Sequence, residues 1–374
     1  MDSTINKNLT DFLAGKQVDP KKDEQTKPGL NPDMAFSFLF FSDVRKTVSN
    51  KEKYQFTRQL VEFADQAGFE AVYFPERHFS EFGSIYANNS LMAAYFAPLT
   101  ERIRLRTAAV TITLHHPVEI VENWAMVDIL SGGRVDLGFG NGWAKKDFIL
   151  SPDTYENRVD LRNERIPMVQ QLWRGEAIDY PGPGGEMFSV QAFPQPIQAD
   201  LNVWYVTQSE SGFEYAGKMG YNVFTMLYGI DLDALEEKTA VYRKAREEAG
   251  LDPMKGTISL MMHTFVHPDL ELVQSVVEKP FKEYIKSSLK PHMMAAGKDV
   301  SEQEITKMVD YSYARYFNTA GIFGSREDCQ KQIDKAASVG VNEIAFLQDF
   351  GIDYQAVVGA LGNLEQLVRD NKGL

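Results

Sequence analysis

The sequence predicts an α/β protein built as a (β/α)8 TIM barrel with insertions. Strand-like and helix-like patterns alternate eight times between residue 34 and the end of the 374-residue chain. Such alternation favours parallel strands, each followed by a helix that covers the outside of the sheet. A doubly wound sheet is the competing architecture. It is disfavoured because no Gly-x-Gly-x-x-Gly turn follows the first predicted strand.

Each predicted strand is a short apolar run rich in β-branched and aromatic residues. The strands, in order, are Ala35–Phe41, Glu70–Pro75, Ile103–Thr113, Arg134–Gly140, Asn202–Thr207, Tyr221–Met226, Ile258–Val266 and Asn342–Leu347.

Each predicted helix places apolar residues at three- and four-residue spacing. The helices cover Lys51–Ala67, Leu91–Leu99, Pro117–Leu130, a segment containing Arg158–Trp173, a segment after Ser211, Leu232–Ala249, Leu270–Leu289 and a last segment from Tyr354. Gly68 is a typical stop for the first helix, and Pro117 is tolerated in the first turn of the third.

Composition narrows the classes of partner. The chain is 44% hydrophobic and 24% charged, which is typical of a globular protein. Its net charge of −13 argues against nucleic acid or an anionic membrane as a partner. The single cysteine, Cys329, excludes a disulfide within the chain and a thiolate zinc site. It shares a helical face with Ile333 and Ala336, so we expect a small core residue. With neither a signal-peptide core nor a membrane-spanning run, a cytoplasmic protein is expected.

Residues 1–33 differ from the rest of the chain. They are rich in charge and contain one aromatic residue, Phe12, so we expect a disordered tail preceding a barrel domain over residues 34–374. Ile5, Leu9 and Leu13 would share a short helical face with Phe12, and docking to a partner is the alternative interpretation.

Two insertions are expected within the barrel. Near residues 176–200, the turn Pro181–Glu186 predicts a hairpin. Residues 290–323 carry Tyr311, Tyr313, Tyr316 and Phe317 within a predicted helix. This segment would lie near the catalytic face. Two interpretations of it are open: a lid that excludes water, or extra packing or a subunit contact.

In a barrel, functional residues collect at the carboxyl ends of the strands. There the sequence places His78, His115 and His116, three of its six histidines. A metal site is not expected, because the other strand ends offer neither carboxylates nor further histidines at matched spacing. Histidine is a natural proton donor or acceptor near neutral pH, so His78 is a candidate for proton transfer. A hydrogen-bonded structural histidine is the alternative.

Two further strand ends suggest a phosphorylated ligand. Gly138, Gly140 and Gly142 remove side chains where a flat molecule could approach the backbone. The segment Thr207–Gly212 precedes a helix, and hydroxyl and N–H groups at a helix N-terminus bind anions. Arg158 would add a charge-assisted contact. Ordinary capping by Ser209 or Ser211 explains the second pattern equally well.

Together these stretches resemble the bacterial luciferase-like flavin-dependent monooxygenases over about residues 35–370. The matching motifs are Glu76–Gly83, Thr107–Val110, His116–Val118, Asp128–Arg134, Gly138–Trp143 and Lys146–Phe148. A closer likeness is to the subgroup found with nonribosomal peptide and polyketide synthases. It is carried by Leu172–Gly175, Val203–Trp204, Leu260–Val266, Pro280–Tyr284, Gly340–Ala345 and Asp349–Gly351.

The resemblance implies a two-component monooxygenase. A separate flavin reductase would supply reduced FMN, and O2 would be the oxidant. The product would come from hydroxylation or Baeyer–Villiger insertion on a natural-product intermediate, either free or bound to a carrier protein. A homo-oligomer, dimer or tetramer, is expected. A deazaflavin-dependent hydride-transfer oxidoreductase and a non-catalytic flavin-binding protein are the alternatives.

The resemblance also assigns residues. It makes His78 the catalytic proton shuttle, and it implies a cis peptide in Thr107–Val110 beneath the flavin ring. The cofactor-binding residues would be Ala108 and Ala109 against the ring, Asn141, Gly142 and Trp143 beside it, and Arg158, Thr207, Gln208, Ser209 and Gly212 around the phosphate.

Three positions depart from the luciferase pattern. Gly140 stands where luciferases have a reactive cysteine, and Asn141 stands where they have arginine. Light emission is therefore not expected. Gln208 replaces an acidic residue and offers a neutral donor, which suits a phosphate dianion better.

Overall fold

The computed structural model describes residues 34–42, 44–83, 85–295 and 301–373, with the backbone alone for residues 288–295. The predicted tail over residues 1–33 lies outside the described residues.

The described strands form one large parallel sheet and one hairpin. They are β1 (Ala35–Leu39), β2 (Ala71–Phe74), β3 (Arg104–Thr107), β4 (Val110–Thr111), β5 (Val135–Gly140), β6 (Ile178–Pro181), β7 (Met187–Val190), β8 (Val203–Val206), β9 (Asn222–Met226), β10 (Ile258–Val266), β11 (Ile322–Gly324) and β12 (Glu343–Leu347). Eight of them close in the order β1-β2-β3-β5-β8-β9-β10-β12, with β12 pairing back to β1. This closed parallel ring confirms the predicted barrel.

The helices lie between successive strands, as a right-handed parallel barrel requires. They are α1 (Asn50–Gln66), α2 (Asn89–Phe96), α3 (Pro117–Ser131), α4 (Arg158–Trp173), α5 (Glu210–Met219), α6 (Leu232–Glu248), α7 (Leu270–Ala295), α8 (Glu302–Arg315), α9 (Arg326–Ser338) and α10 (Tyr354–Lys372). Of the helices in the described ranges, none has the length and apolar character needed to cross a bilayer.

The lower part of the barrel interior is filled by a charged network. The guanidinium of Arg106 donates to Asp136 and to Glu343, the latter at 2.7 Å. Arg104 donates to the second oxygen of Asp136, and the Tyr73 hydroxyl donates to Glu343. Buried charges are tolerated when they are paired and hydrogen-bonded in this way. The paired charges of the network thus fill part of the barrel interior.

Two expectations about the elements need correction. The third strand, predicted over Ile103–Thr113, is broken at Ala108–Ala109, where the peptide bond is cis, and continues only as the short β4. The helix predicted to stop at Leu289 runs on to Ala295, and the insertion after it ends in β11, which pairs with β10. The pairing is a long-range contact that local periodicity does not reveal.

Other local predictions are confirmed. β6 and β7 pair antiparallel around the predicted turn and form a hairpin. Cys329 is fully buried in α9 together with Ile333 and Ala336.

Candidate active site

The candidate site lies at the carboxyl ends of four neighbouring strands. β2, β3, β5 and β8 are adjacent in the barrel, and β4 extends the same edge beside β5. The side chains that follow these strands therefore meet on one face of the barrel. The histidine cluster follows β2 and β4, the glycine-rich stretch ends β5, and the hydroxyl-rich stretch follows β8.

The carboxylate of Glu76 is the centre of the histidine cluster. Its Oε1 accepts a hydrogen bond from His78 Nε2 at 2.8 Å and another from His115 Nε2 at 2.7 Å. Its Oε2 accepts from the backbone N–H of Thr111 at 2.7 Å. The Glu76 side chain is 2% exposed, so the carboxylate is held almost entirely by these partners. Glu76 thus fixes both imidazole rings.

The hydrogen bonds between Glu76 and the two histidines shift the pKa values of the groups in this cluster. Burial raises the pKa of Glu76, but the hydrogen bonds from His115 and His78 outweigh it and leave that pKa below its usual value. Burial lowers the pKa of His115, and the bond to Glu76 more than reverses it, so the net shift is upward. An ionised Glu76 only accepts hydrogen bonds, so Nε2 of each ring carries its proton. His78 Nδ1 is then the ring nitrogen left for a reacting group.

Arg77 points away from this cluster. Its guanidinium carbon lies 5.0 Å from the ring centre of Trp143, 5.3 Å from that of Phe41 and 5.4 Å from that of Phe82. Burial raises the pKa of the nearby Asp147 carboxyl, and the charges of His78 and Arg77 oppose that shift only in part. Glu76 therefore orients His78, while Arg77 packs among aromatic rings.

β3 and β5 are paired neighbours, and the closely packed surface formed by Thr107–Ala109 and Gly138–Gly140 at their carboxyl ends is called the floor. Thr107 Oγ1 accepts from the Gly138 N–H at 2.8 Å and donates to the Gly138 carbonyl at 2.9 Å. A Cβ at Gly138 would lie 2.1 Å from the Thr107 carbonyl oxygen, and one at Gly140 would lie 3.1 Å from the Ala109 Cβ. The cis peptide between Ala108 and Ala109 is present as the resemblance implied. Only small residues fit here, which leaves room for a planar ring.

The loop after β5 forms the edge of this floor. The backbone carbonyl of Asn141 accepts from Thr113 Oγ1 at 3.2 Å. Gly142 has a φ of +73°, and a Cβ there would lie 2.8 Å from the Phe148 ring. A side chain at position 142 is therefore excluded both by conformation and by space. Trp143 is 40% exposed at the rim of the site.

The segment after β8 forms a cradle at the N-terminus of α5. Ser209 caps the helix, and its Oγ accepts from the Gly212 N–H at 3.2 Å. Thr207 Oγ1 lies 3.2 Å from both the Ser209 N–H and its hydroxyl. A Cβ at Gly212 would meet Thr207 Oγ1 at 2.1 Å, so the glycine is required by space. Hydroxyl and N–H groups converge here, as an anion site requires.

Gln208 has partners other than those expected. Its Nε2 donates to the carbonyls of Met226 at 2.9 Å and Tyr228 at 3.3 Å. The remaining polar atom of the Gln208 side chain is its amide oxygen, an acceptor, which does not suit a phosphate. The side chain ties the loop after β8 to the loop after β9.

Two arginines lie four residues apart on α4, and the second of them contacts the residue that precedes the cradle. Arg158 donates to the Tyr155 carbonyl, and its guanidinium carbon lies 4.4 Å from the centre of the Tyr155 ring. Arg162, one turn later, donates to the Val206 carbonyl at 3.1 Å. The Nε of each arginine is buried without a hydrogen-bond partner. Uncompensated donors beside a hydroxyl-lined helix terminus fit a phosphate group.

Sequence reasoning missed the roles of Arg162 and Asn89. Arg162 was signalled by its spacing of four residues from Arg158, which puts both side chains on one face of α4. Asn89 Nδ2 donates to the Ala109 carbonyl at 3.2 Å and so supports the floor. Nothing in the local sequence indicated this contact. Within the described ranges, no group of three His, Cys, Asp or Glu side chains is placed to hold a metal ion.

One end of the barrel combines the imidazole held by Glu76, the floor and the anion cradle. These are the features of an enzyme that binds a phosphorylated planar cofactor. The model of one family, the luciferase-like monooxygenases, matches residues 34–343. The chain belongs to that family and is an enzyme of the luciferase-like, flavin-dependent monooxygenase class.

Known proteins are similar over nearly the whole chain. The flavin-dependent trigonelline monooxygenase, oxygenase component, of Acinetobacter baylyi is 24% identical over 86% of this chain and 91% of its own. The oxygenating constituent of 3,6-diketocamphane monooxygenase from Pseudomonas putida, solved with FMN, superimposes with a TM-score of 0.70 at 17% identity, over 91% of this chain and 98% of its own. An F420-dependent secondary alcohol dehydrogenase also gives 0.70, at 14% identity, over 90% and 99% of the two chains.

Proposed function

We propose that this protein is the oxygenase component of a two-component, FMN-dependent monooxygenase. The observation that carries the proposal is the placement of the cradle at Thr207–Gly212 and the floor at Gly138–Gly140 on the same barrel end as the Glu76-held His78. The relatives that are named monooxygenases support the same assignment.

The residues present fit FMN. When bound, reduced FMN supplies the two electrons for activating O2, so that one oxygen atom enters the substrate and the other leaves as water. The cradle and Arg158 would hold the phosphate. The ring would lie on Ala108 and Ala109 above the floor, with Asn141, Gly142 and Trp143 along its edge. His78, which follows β2 at the same end of the barrel, would then serve the reacting centre.

His78 would hold or transfer the proton at the reacting centre. Glu76 binds Nε2, so the neutral ring presents the lone pair of Nδ1 as a base, and the protonated ring presents an N–H there as an acid. Because Glu76 also binds His115 and the Thr111 N–H, its position does not depend on His78 alone. The imidazole is thus pre-oriented for proton transfer.

The reaction is proposed to be hydroxylation or a Baeyer–Villiger insertion. The substrate would be a natural-product intermediate, free or bound to a carrier protein, and a separate reductase would deliver the reduced FMN. The curated relative is an oxygenase component, which supports a separate reductase. The motif likeness to the synthase-associated subgroup supports the choice of substrate. We further propose a homo-oligomer located in the cytoplasm. Gly140 carries no thiol, so light emission is not part of the proposal.

A deazaflavin-dependent hydride transfer is the second candidate. It rests on one observation, the similarity in fold to an F420-dependent secondary alcohol dehydrogenase. The two candidates differ in their use of O2, because hydride transfer to or from the substrate consumes none.

The test is a titration with reduced FMN under nitrogen, followed by rapid mixing with O2 in a stopped-flow spectrometer. We expect binding, then reoxidation through a transient absorbance that free reduced FMN does not show under the same conditions. Binding of reduced F420 in preference to reduced FMN, without O2 consumption, would select the second candidate. Failure to bind either would overturn both.

The role of His78 is tested by His78→Ala with His116→Ala as the matched control. His116 lies in the same cluster but caps α3 through the Val118 N–H and does not contact Glu76. We expect His78→Ala to fold and to bind FMN, but to lose most of the oxygenation coupled to FMN oxidation. Equal product yield in both variants would remove His78 from the mechanism.

A further inference from the structure

A further imidazole, beside the site described above, lies in an unusual environment. His263 on β10 is 4% exposed, and neither of its ring nitrogens has a hydrogen-bond partner. Buried polar groups in native proteins are nearly always hydrogen-bonded, because a donor or acceptor removed from water without a partner destabilises the fold. A position occupied by such a residue therefore points to a role other than stability.

The His263 ring is surrounded by four aromatic side chains, which we call the aromatic box. The distances between ring centres are 4.6 Å to Phe281, 5.3 Å to Tyr316, and 5.4 Å each to Tyr284 and Phe350. Phe281 and Tyr284 belong to α7, and Tyr316 opens the π-helical turn after α8. Three of the four rings thus come from the segment inserted between β10 and β11.

The box faces the interior at the carboxyl end of the barrel. Ser259 on the same strand donates to Glu343 inside the barrel, and alternate residues of a strand face one side. His263, four residues later, therefore points inward at the upper end, where it pairs in register with Leu347.

The box also adjoins the site around His78. The Tyr284 ring lies 5.0 Å from that of Phe82, which in turn packs against the Arg77 guanidinium. β10, which carries His263, is separated from β8 by β9 alone, so the box lies two strands away from the phosphate cradle around the ring.

We propose that His263 is the hydrogen-bonding residue of the substrate pocket, that the aromatic box forms its walls, and that the pocket takes a neutral, planar ring compound bearing a carbonyl or N–H group. This inference rests on the proposed function, and it names the substrate class for the same site. A neutral imidazole offers one donor and one acceptor, which matches an amide, a lactam or a ketone. The surrounding rings favour stacking and edge contacts with a flat ring.

The same environment disfavours an anionic group. Burial lowers the pKa of His263 to about 3, so the ring carries no charge at neutral pH and cannot pair with a carboxylate. The rings contact the imidazole directly, so a substrate ring enters by displacement of the α7 and π-turn side chains.

The test uses benzamide and 2-pyridone as neutral probes and benzoate as the isosteric anion of benzamide. Calorimetric titration of the FMN-loaded protein is compared for wild type, His263→Phe, His263→Gln and the control His267→Phe. His267 follows the same strand and accepts only from the Asp269 N–H. We expect wild type to bind at least one neutral probe, and benzoate at least tenfold more weakly than benzamide.

His263→Phe should weaken binding of that neutral probe at least tenfold, and His263→Gln should restore part of the affinity. The melting temperature of His263→Phe should equal or exceed that of wild type, because an unpartnered polar group is removed. Binding of neither neutral probe, equal binding of benzoate and benzamide, or probe binding unchanged in His263→Phe would each overturn the proposal. The FMN titration is a separate test. If the protein does not bind FMN but its probe binding still depends on His263, the proposed function is overturned and the proposed pocket stands.

Discussion

Replacing Glu76 by glutamine tests the central contact of the site. The change keeps the size of the side chain but removes its charge and one acceptor oxygen. In the wild type both oxygens accept, Oε1 from two imidazoles and Oε2 from the Thr111 N–H. A glutamine can satisfy only one side. Either its NH2 faces the Thr111 N–H, or it faces the imidazoles and forces each to move its proton from Nε2 to Nδ1.

The magnitude follows from these contacts. Hydrogen bonds to a charged group contribute about 1.5–3 kcal/mol each, and neutral ones about 0.5–1.5 kcal/mol. Two imidazole bonds would lose roughly 1 kcal/mol each, and one buried mismatch would add about 1–3 kcal/mol. We therefore expect Glu76→Gln to lower the free energy of unfolding by about 3–5 kcal/mol near pH 5.5.

The loss should depend on pH in a defined direction. The pKa of Glu76 is lowered from 4.5 by the histidine contacts against the opposing effect of burial, so its contribution is present above pH 4.5 and is lost as the pH falls through the lowered value. The pKa of His115 is raised from 6.5, so its contribution is present below pH 6.5 and is lost as the pH rises through the raised value. Both operate between about pH 4.5 and 6.5, where the difference from wild type should be largest.

Urea denaturation at several pH values measures this difference. Glu81→Gln is the matched control, because Glu81 lies on the same loop, has a side chain that is 74% exposed and pairs with the exposed Lys46 at 3.3 Å. The control should change stability by less than about 0.5 kcal/mol at every pH. A Glu76→Gln variant as stable as the control, or one whose deficit does not vary with pH, would refute the reasoning.

Three further predictions follow from other contacts. Arg158→Ala should weaken binding of reduced FMN by about 1–3 kcal/mol, as measured by anaerobic titration, whereas Arg174→Ala at the far end of α4 should leave the dissociation constant unaltered. Arg106→Met should lower the free energy of unfolding by about 3–5 kcal/mol in urea denaturation, because it removes the buried cation that pairs with both Asp136 and Glu343; a loss below about 1 kcal/mol would contradict the assigned pairing. Gly138→Ala should abolish FMN binding or folding, because its Cβ would lie 2.1 Å from the Thr107 carbonyl oxygen; Gly359→Ala, where a Cβ meets nothing within 4 Å, should be tolerated.

The barrel was readable from local pattern because each β–α unit carries its own periodicity. The two elements that were predicted wrongly depend on contacts between residues distant in the sequence. β11 exists because it pairs with β10, and the third strand breaks at Ala108–Ala109, where the backbone turns beneath Asn89. Neither feature alters the local alternation of apolar residues, so neither was visible in it.

The sequence by itself determined the eight-fold alternation, the strand ends at which polar residues collect, and the family motifs. Only the tertiary structure decided how those residues act together. Glu76 and His115 are 39 positions apart, yet they share one hydrogen bond, and Gln208 turns to two backbone carbonyls rather than to the cradle. His263 reads as an ordinary core position until the folded chain surrounds it with four rings. The physical reason is that periodicity records which side of an element is buried, whereas hydrogen-bond partners are set by which elements the closed barrel brings side by side.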